Sequence, residues 1–382
     1  MLLWVTVIQT LLRMFPFPSR RGLIRIGNPD ATSPVLLTGN FQLGVERVKR
    51  ALRGVDAYVL IANSRGVNVW CAATGGLLTN HDVVSVLKTS GIERIVNHRT
   101  LILPQLAATG IEGRVVQRRT GWHVVWGPVR ADDIPAFLDA GLTASPAMRG
   151  VAFPWTDRLE MAVAWAFPIS ILAALLAFPF FGWNVLALGA LIWIASLAIF
   201  LPFPLYEHRL RGQKRKLGFI FFDFGQTGLP ILVWLLFLTA LAAFSAISGD
   251  LSTAFMLRWG IASLGVLLIL CLDLTGSTPR YKSGLHEDRM LAIDLDEDRC
   301  KGAGFCATVC PTRVFEIDTR RRLAILQNIG DCVQCGACIV QCPFDALSFM
   351  APTGERILPS TVRSFKLNLI GTRSKPVSRS SA

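Results

Sequence analysis

The sequence predicts an α/β domain, a helical membrane domain and a cysteine-rich C-terminal domain, in that order along the chain. Three observations lead to this prediction. Short apolar runs alternate with helix-type segments over residues 35–140, hydrophobic stretches fill residues 159–274, and seven of the nine cysteines lie between Cys300 and Cys342. The expected bounds are 34–155, 159–274 and 288–352, with an N-terminal segment 1–33 and a basic tail 353–382 that is expected to be disordered.

Residues 35–140 have the pattern of an α/β domain. Four short runs rich in apolar residues are predicted as strands: Ala57–Ala62, Asn68–Trp70, Arg114–Val116 and Trp122–Trp126. Thr79 and Asp82 form a capping box, which predicts a helix through Leu87 that Gly91 ends. Ala131–Ala140 predicts a further helix. Strands that alternate with helices favour a mostly parallel sheet.

The composition is too apolar for an ordinary soluble protein. Hydrophobic residues make up 52% of the chain and charged residues only 17%, and the mean hydropathy is +0.46. The net charge of +13 comes without an array of basic and aromatic residues of the nucleic-acid-binding kind. A basic chain with a large apolar middle is more typical of loops that face anionic membrane lipid, so no nucleic-acid partner is expected.

Four hydrophobic stretches are each long enough to cross about 30 Å of hydrocarbon: 160–180, 182–203, 229–247 and 255–273. Basic residues cluster in the loop between the second and third stretches and flank the first and fourth: Arg149, Arg158, Arg209, Arg211, Lys214, Arg215, Lys216, Arg280 and Lys282. By the positive-inside rule both terminal domains are expected in the cytoplasm, on a multi-pass inner-membrane protein. Phe219–Gly228 is apolar enough to extend the third stretch or to lie in the membrane interface. A fifth crossing would disagree with the charge pattern. Met1–Leu12 is apolar but too short to span, and is expected at the membrane surface or against the first domain.

The second cysteine run, from Cys332 to Cys342, has the spacing C-x2-C-x2-C-x3-C-P of bacterial ferredoxins. Three thiolates on one tight loop can hold three irons of a cubane, and the fourth cysteine binds the other cluster. The run therefore resembles the ferredoxin family, which implies an α+β domain that carries electrons. A zinc site is the alternative, although zinc does not require this crossed, paired arrangement.

The first cysteine run, from Cys300 to Cys310, fits the same template except that Ala303 stands at the place of the second cysteine. Crossed ligation predicts one complete [4Fe–4S] site: Cys310, Cys332, Cys335 and Cys338. The other site has three cysteines: Cys300, Cys306 and Cys342. This second site is expected to hold a [3Fe–4S] cluster, a [4Fe–4S] cluster with one non-cysteine ligand, or a labile centre.

Cys71 lies in the first domain, far along the sequence from both runs. A single cysteine at the end of a strand is usually a small buried hydrophobe, and Cys271 in the fourth hydrophobic stretch is interpreted as one. The segment NVWCAATGG around Cys71, however, resembles the cap-helix motif of the corrinoid protein of bacterial mercury methylation. That protein is a relative of the corrinoid iron–sulfur proteins of acetyl-CoA synthesis. The resemblance covers about residues 34–150 and continues through five segments: Thr38–Asn40, Val96–Arg99, Leu103–Leu106, Gly127–Arg130 and Pro135–Gly141.

The resemblance implies a fusion of that corrinoid protein with its ferredoxin partner. It implies a Rossmann-like domain that binds a corrinoid (cobalamin), with Cys71 as the lower axial ligand to cobalt and hence the catalytic residue. Asn68 would hydrogen-bond the thiolate or orient the helix, and Trp70 would pack. Ala72 and Ala73 would let the flat macrocycle approach the helix. His98, in the turn before Arg99, is expected to be structural.

The sequence departs from the family pattern at three places. Thr74-Gly75-Gly76 stands where the family has Gly-Lys, so the lysine is absent. Ala303 replaces a cysteine, and no cysteine follows Cys342 to match the pair that is thought to hand over mercury. The corrinoid interpretation survives these departures better than the mercury interpretation.

Two functions are therefore expected from the sequence. The first is a membrane-anchored corrinoid methyl carrier or methyltransferase, whose fused ferredoxin reduces the cobalt. It would need a methyl-donating methyltransferase and a low-potential electron donor as partners, with membrane lipid around its helices. The alternative is a membrane-bound electron-transfer protein without a corrinoid.

Overall fold

The computed structural model describes residues 2–13, 15–210, 229–247, 252–271, 274, 278–281, 290–367 and 372–376. Most of the basic loop, from residue 211 onward, and the predicted interfacial segment Phe219–Gly228 lie outside these residues. The chain forms two compact units. One contains the α/β and ferredoxin-type parts: Phe15–Ala152, Ser277–Arg280 and His286–Ala382. The other contains the apolar helices: Met1–Met14, Phe153–Gly276 and Tyr281–Leu285.

A five-stranded sheet organises the N-terminal part of the first unit. Its strands are β1 (Gly22–Ile26), β2 (Val35–Gly39), β3 (Ala57–Ala62), β4 (Thr100–Leu103) and β5 (His123–Trp126). The strand order is β1-β3-β2-β4-β5, with β2 to β5 parallel and β1 antiparallel at the edge. The mostly parallel sheet was predicted, whereas the edge strand β1 was not.

Both faces of the sheet are covered, which is why β3 is a continuous apolar run rather than an alternating one. Tyr58 and Leu60 point into one hydrophobic cluster, whereas Val59 and Ile61 point into another on the opposite face. The surrounding helices are α2 (Gln42–Ala51), α3 (Val69–Thr74), α4 (Asn80–Ser90), α5 (Gly113–Thr120), α6 (Ile134–Asp139) and α7 (Pro146–Arg149). A 3₁₀ turn over Gln105–Thr109, called the bridging turn below, follows β4.

Two predicted strands are helices. Asn68–Trp70 enters α3, because the Asn68 side chain accepts a hydrogen bond from the backbone N–H of Cys71 and so caps a helix. Arg114–Val116 lies in α5, which ends at Gly121 in the left-handed conformation with φ +76°. The predicted capping box of Thr79 with Asp82 is present at the start of α4.

The ferredoxin-type part consists of two short helices and small antiparallel sheets. The helices are α13 (Phe305–Val309) and α14 (Ala337–Gln341). The strands are β6 (Ala292–Leu295), β7 (Phe315–Asp318), β8 (Leu323–Leu326), β9 (Leu347–Met350) and β10 (Arg356–Ile357), with β7 paired to β8 and β9 between β6 and β10. Each helix starts beside one cysteine of a run and ends next to another.

The prediction that the tail from residue 353 is disordered was wrong for its described residues. After β10 the tail forms α15 (Pro359–Ser364), and then β11 (Lys366–Leu367) paired with β12 (Arg373–Ser374). Val362 and Lys366 are buried at 2% and 8% exposure. The composition of the tail is basic and polar, but contacts with the two folded parts order it.

The helical unit contains α1 (Leu2–Leu11), α8 (Trp155–Phe181), α9 (Val185–Phe200), α10 (Phe203–Leu210), α11 (Leu229–Ile247) and α12 (Thr253–Leu270). Helices α8, α9, α11 and α12 coincide with the four predicted hydrophobic stretches. Among the residues that the structure describes, two stretches are long and apolar enough to cross a membrane: Trp155–Phe200, which joins α8 to α9, and Thr253–Leu270. The 16 residues of α9 rise only about 24 Å, less than the hydrocarbon thickness of about 30 Å. The expectation of four spans is thus matched in part.

Helix α1 packs against α8 within the helical unit. Arg13, just after α1, makes an ion pair of 2.7 Å with Glu160 in α8.

Candidate functional sites

Cys71 lies in the first turn of α3, at the carboxyl edge of the parallel sheet. The Asn68 Oδ1 atom accepts from the Cys71 N–H at 3.0 Å, so Asn68 orients the helix through its backbone. At the end of β2, a β-carbon on Gly39 would lie 2.6 Å from Ser64 Oγ and 3.6 Å from Val69 Cγ2, so α3 begins directly against this edge. Because β3 and β4 lie on opposite sides of β2, this edge is a topological switch point, where α/β sheets bind ligands.

Asn68→Ala is expected to destabilise α3 by about 1 kcal/mol, because the N–H of Cys71 loses its cap. Asn68→Asp keeps an acceptor at the same place and should retain most of that stability. Hydrogen exchange of the amides at the start of α3 measures the effect. Equal protection in wild type and Asn68→Ala would contradict it.

Of the predicted cofactor-binding residues, three are half-buried: Asn68, Trp70 and Cys71. Ala72 and Ala73 are 0% exposed, so the expectation that they face the macrocycle does not hold in this structure. The segment that follows the bridging turn packs closely against α3, because a β-carbon on Gly110 would lie 2.4 Å from the Ala73 carbonyl oxygen.

Gly110→Ala is therefore expected to push the bridging turn away from α3. The added methyl would meet the backbone of Ala73 and the carbonyl oxygen of Leu78, at 2.4–2.8 Å, and overpacking of this kind costs about 1–3 kcal/mol. Gly44→Ala in α2 is the matched control, since its nearest neighbour would be at 3.5 Å. A denaturant series on both variants tests this, and equal midpoints would contradict it.

His98 has a structural role, as expected. Its Nδ1 atom accepts from the Thr100 N–H at 3.2 Å, so its Nε2 atom donates to the Ser33 carbonyl at 3.0 Å. The ring also makes an edge contact with Trp122. Both nitrogens are thus engaged within the protein.

The structure brings together the four cysteines expected for the complete cluster. One cavity is lined by Cys310 from the first run and three cysteines from the second: Cys332, Cys335 and Cys338. Cys335 and the neighbouring Ala337, together with Val309, pack against the hydrophobic core of the α/β part. This cysteine group therefore borders the α/β domain directly.

The three remaining cysteines meet at a second cavity. Cys300 and Cys306 come from the first run and Cys342 from the second, so the two runs cross as the ferredoxin spacing predicts. Ala303 lines this cavity as well, at the place of the missing cysteine, and its side chain is exposed.

The surroundings of the sulfurs suit thiolates that are bound to iron. Backbone N–H groups donate to four of them: Val314 to Cys310, Ala324 to Cys300, Gln334 to Cys332 and Ala346 to Cys342, at 3.3–3.4 Å. Such hydrogen bonds stabilise charge on cluster sulfurs. Burial raises the pKa of Cys306 to about 12, with neighbouring Cys342 and Cys300 adding to it. Burial also raises the pKa of Cys338. Thiolates here therefore need a metal's positive charge.

The cysteines do not converge on a single ion. Within the part of the chain that the structure describes, no three His, Cys, Asp or Glu side chains are placed to hold one metal ion. Tetrahedral zinc with Zn–S bonds of about 2.3 Å would bring sulfurs to about 3.8 Å from one another. The two cysteine-lined cavities fit a cluster better than they fit zinc.

A buried glutamine fixes the ferredoxin-type part on the α/β part. The Gln341 amide donates to the carbonyl oxygens of Ala108 and Ile111 at 2.7 and 2.6 Å, and its Oε1 atom accepts from the Gly113 N–H at 3.3 Å. Arg114 donates to the Pro343 carbonyl at 3.0 Å. The bridging turn contacts α3 on one side and both α13 and α14 on the other. It thus links the Cys71 helix to the cysteine-rich helices.

The ordered tail adds a second connection that sequence reasoning missed. Lys366 donates to the Thr109 carbonyl at 2.9 Å. A β-carbon on Gly75 would lie 3.5 Å from the Leu367 carbonyl oxygen, and one on Gly76 would lie 2.9 Å from Pro376. The tail therefore covers the end of α3 at Gly75 and Gly76. A basic, polar sequence gave no signal of this contact.

Lys366 should make stability rise with pH. Burial, with a smaller contribution from Arg373, lowers its pKa from 10.5 to about 8. Between these two values the unfolded chain binds more protons than the folded one, so raising the pH through this window stabilises the fold by up to about 3 kcal/mol. Denaturant midpoints on either side of the window measure this rise, and Lys366→Met should abolish it. An identical pH dependence in both proteins would contradict the prediction.

Comparison with known proteins matches the two ends of the chain to different families. Residues 2–138 match the family model of the CO dehydrogenase/acetyl-CoA synthase delta subunit. Residues 299–346 match the 4Fe-4S dicluster domain. The chain thus carries a domain similar to that subunit family, followed by a 4Fe–4S ferredoxin domain.

Curated relatives match over about a third of the chain. The acetyl-CoA decarbonylase/synthase complex subunit gamma of Methanopyrus kandleri is 38% identical over 120 residues, which is 31% of this chain and 26% of that protein. The same subunit of Methanothermobacter thermautotrophicus is 36% identical over 120 residues, with the same shares. That of Archaeoglobus fulgidus is 33% identical over 126 residues, 32% of this chain and 26% of that protein. The chain therefore spans about a quarter of the length of these relatives.

Proposed function

We propose that this protein is a membrane-anchored corrinoid iron–sulfur methyl carrier whose own ferredoxin domain keeps the corrinoid cobalt reduced. The observation that carries the proposal is the bridging turn, Gln105–Thr109, which contacts both the Cys71 helix and the two ferredoxin helices. A donor that is already docked beside its acceptor needs no diffusional encounter, so its effective concentration is high.

Cys71 is the residue proposed to hold the corrinoid. When bound, the corrinoid supplies a cobalt centre that can carry a methyl group. The half-buried sulfur of Cys71, at the switch point of the sheet, would hold that cobalt, and Asn68 fixes the turn of helix that presents it. Trp70, also half-buried, would border the cofactor. The buried Ala72 and Ala73 serve the packing of α3 and not the cofactor directly.

The two cysteine groups are proposed to hold the iron–sulfur clusters, with different roles. The complete group borders the α/β core through Cys335, so it is the better placed donor to the corrinoid. The three-cysteine group opens to solvent at Ala303. An external low-potential donor would supply the electrons.

The helical unit is proposed to anchor the protein in the cytoplasmic membrane, with both soluble parts in the cytoplasm. On α8 and the following turn, large apolar side chains are strongly exposed: Leu175, Leu176, Phe180 and Trp183, at 68–79%. An apolar surface of this kind fits contact with lipid. The charge bias of the flanking segments supports the orientation. The described helices α8, α9, α11 and α12 would supply four crossings.

The proposal includes a methyl-donating methyltransferase as a partner but leaves the methyl acceptor undefined. The relatives reported above belong to acetyl-CoA decarbonylase/synthase complexes. The sequence has no cysteine after Cys342 that could hand over mercury. Mercury methylation is therefore not part of the proposal.

A second candidate is a membrane electron-transfer protein whose α/β domain docks or regulates and binds no corrinoid. The burial of Ala72 and Ala73 favours it, because these residues support the fold without any cofactor. The two candidates differ in the α/β domain alone, since both use the same clusters.

Corrinoid binding by the full chain separates the two. The protein is purified anaerobically in detergent, incubated with cobalamin under reducing conditions and freed of excess. The methyl-carrier proposal predicts stoichiometric corrin absorption that persists through gel filtration. Protein with its cluster absorption intact but no retained corrin bands would support the second candidate instead.

A further inference from the structure

The three-cysteine cavity has an open corner at Ala303. Ala303 is exposed, although the cysteines around the cavity are buried or half-buried. Its neighbours Gly302 and Gly304 have φ values of +65° and +78°, so the loop wraps around the cavity as glycine-flanked cluster loops do. A cluster bound here would therefore turn one iron toward solvent.

No other side chain of the cavity can replace the missing cysteine. Apart from the three cysteines, the cavity is lined by apolar residues, glycines and Lys301. The Lys301 ammonium donates to the Asp298 carbonyl at 3.0 Å and has no lone pair to offer while it is charged. Within residues 290–367, all of which the structure describes, no carboxylate, imidazole or hydroxyl lines the cavity.

The loop cannot readily shift to bring in a more distant donor. A β-carbon on Gly302 would lie 2.6 Å from the carbonyl carbon of Arg322, so the two backbones are in close contact. The Ala324 N–H donates to the sulfur of Cys300 at 3.4 Å and fixes the start of the same loop. Strand β8 and the residue before it therefore hold one side of this loop in place, while the other side, at Ala303, faces solvent.

We propose that the cluster at the three-cysteine site has one exchangeable iron at the Ala303 corner, which takes its fourth ligand from solution. The ligand class is a small anionic donor, with thiolate preferred over hydroxide because it resembles the cysteine that is missing. Loss of this iron as Fe²⁺, together with one electron that passes to a mild one-electron oxidant (ferricyanide in the test below), converts [4Fe–4S]²⁺ into [3Fe–4S]⁺. Restoring it requires [3Fe–4S]⁺, one Fe²⁺ and one electron, which together give [4Fe–4S]²⁺. The electron comes from a low-potential reductant, which is dithionite in the test below.

This inference rests on the two cluster sites of the proposed function but not on the corrinoid. A protein that binds no corrinoid can still show the exchangeable iron. A protein that binds corrinoid can equally lack it. The two proposals can therefore fail separately.

The test uses the full-length protein, purified anaerobically and mildly oxidised with ferricyanide. Electron paramagnetic resonance should show a [3Fe–4S]⁺ signal. Addition of ⁵⁷Fe²⁺ with dithionite should remove that signal, and Mössbauer spectroscopy should find the label at a single iron site. Adding 2-mercaptoethanol should then change the spectrum of this cluster and leave the other unchanged. Incorporation of ⁵⁷Fe is a readout independent of any methyl transfer.

Ala303→Cys supplies the missing ligand and should abolish both the [3Fe–4S]⁺ signal and the uptake of ⁵⁷Fe. Ala292→Cys, which adds an exposed thiol in β6 of the same domain, is the matched control and should behave as wild type. The proposal is overturned if wild type has two complete clusters that neither exchange iron nor respond to thiol. It is equally overturned if a [3Fe–4S] cluster takes up no iron, or if Ala303→Cys still exchanges it.

Discussion

Cys71→Ala is expected to weaken retention of the corrinoid at least about tenfold, by comparison with other changes around metal ligands. The cobalt would lose its proposed sulfur ligand, so the absorption and paramagnetic resonance spectra of bound cobalt should change together. Methyl transfer should fall with them. The cluster cysteines lie in a separate domain, so iron and sulfide content should stay the same.

Cys271→Ala is the matched control for this prediction. Cys271 is a buried cysteine at the end of α12 in the helical unit, and its replacement also removes one thiol. It should leave the cobalt spectrum unchanged. If Cys71→Ala keeps the wild-type cobalt spectrum, Cys71 is not the ligand, whatever happens to activity.

Gln341→Leu is expected to release the ferredoxin domain from the α/β domain. It leaves the Ala108 and Ile111 carbonyls and the Gly113 N–H without their partner. Each buried unsatisfied group costs about 1–3 kcal/mol, so the docked arrangement should lose at least about 3 kcal/mol. Electron transfer to the corrinoid should slow in proportion to the undocked fraction, and segment 108–113 should exchange its amide hydrogens faster.

Two further variants separate docking from cluster assembly. Gln327→Leu changes an exposed glutamine of the same domain and should be neutral. Arg114→Ala removes the bond to the Pro343 carbonyl from the α/β side, far in sequence from any cysteine. It should slow electron transfer with full cluster content, though less than Gln341→Leu. If Gln341→Leu and Arg114→Ala both keep the hydrogen exchange and the electron-transfer rate of the wild type, these contacts do not hold the two domains together.

Much of the fold could be predicted because it follows from local patterns. The run Ala57–Ala62 is the buried strand that its apolar residues indicate, and Thr79 with Asp82 starts a helix as capping chemistry requires. The strand predicted at Asn68–Trp70 was wrong. Val69 and Trp70 favour a strand, but the Asn68 side chain caps a helix that begins there. The same conflict arises at α5, where the valines favour a strand but the segment forms a helix that ends at Gly121.

The cluster cysteines could be predicted because their spacing along the sequence is that of cluster ligands. The contacts that dock the ferredoxin domain on the α/β domain could not, because no short sequence pattern indicates them. Gln341 lies inside a cysteine run and gives no sign that its amide bonds a backbone more than two hundred residues away. The ordering of Lys366 depends in the same way on a distant carbonyl, at Thr109. Burial of Ala72 and Ala73 follows from the close approach of Gly110, which periodicity does not reveal.

The proposal that the fused ferredoxin domain reduces the corrinoid is tested most directly by the rate of electron transfer from the reduced clusters to the corrinoid in the full-length protein. Clusters are reduced by a light pulse under anaerobic conditions, and their reoxidation is followed together with the reduction of cobalt. If the donor is docked on the same chain, the clusters should be reoxidised at the same rate as cobalt is reduced, and this rate should not change with protein concentration. Rates proportional to protein concentration, or clusters that stay reduced while cobalt is unchanged, would contradict it.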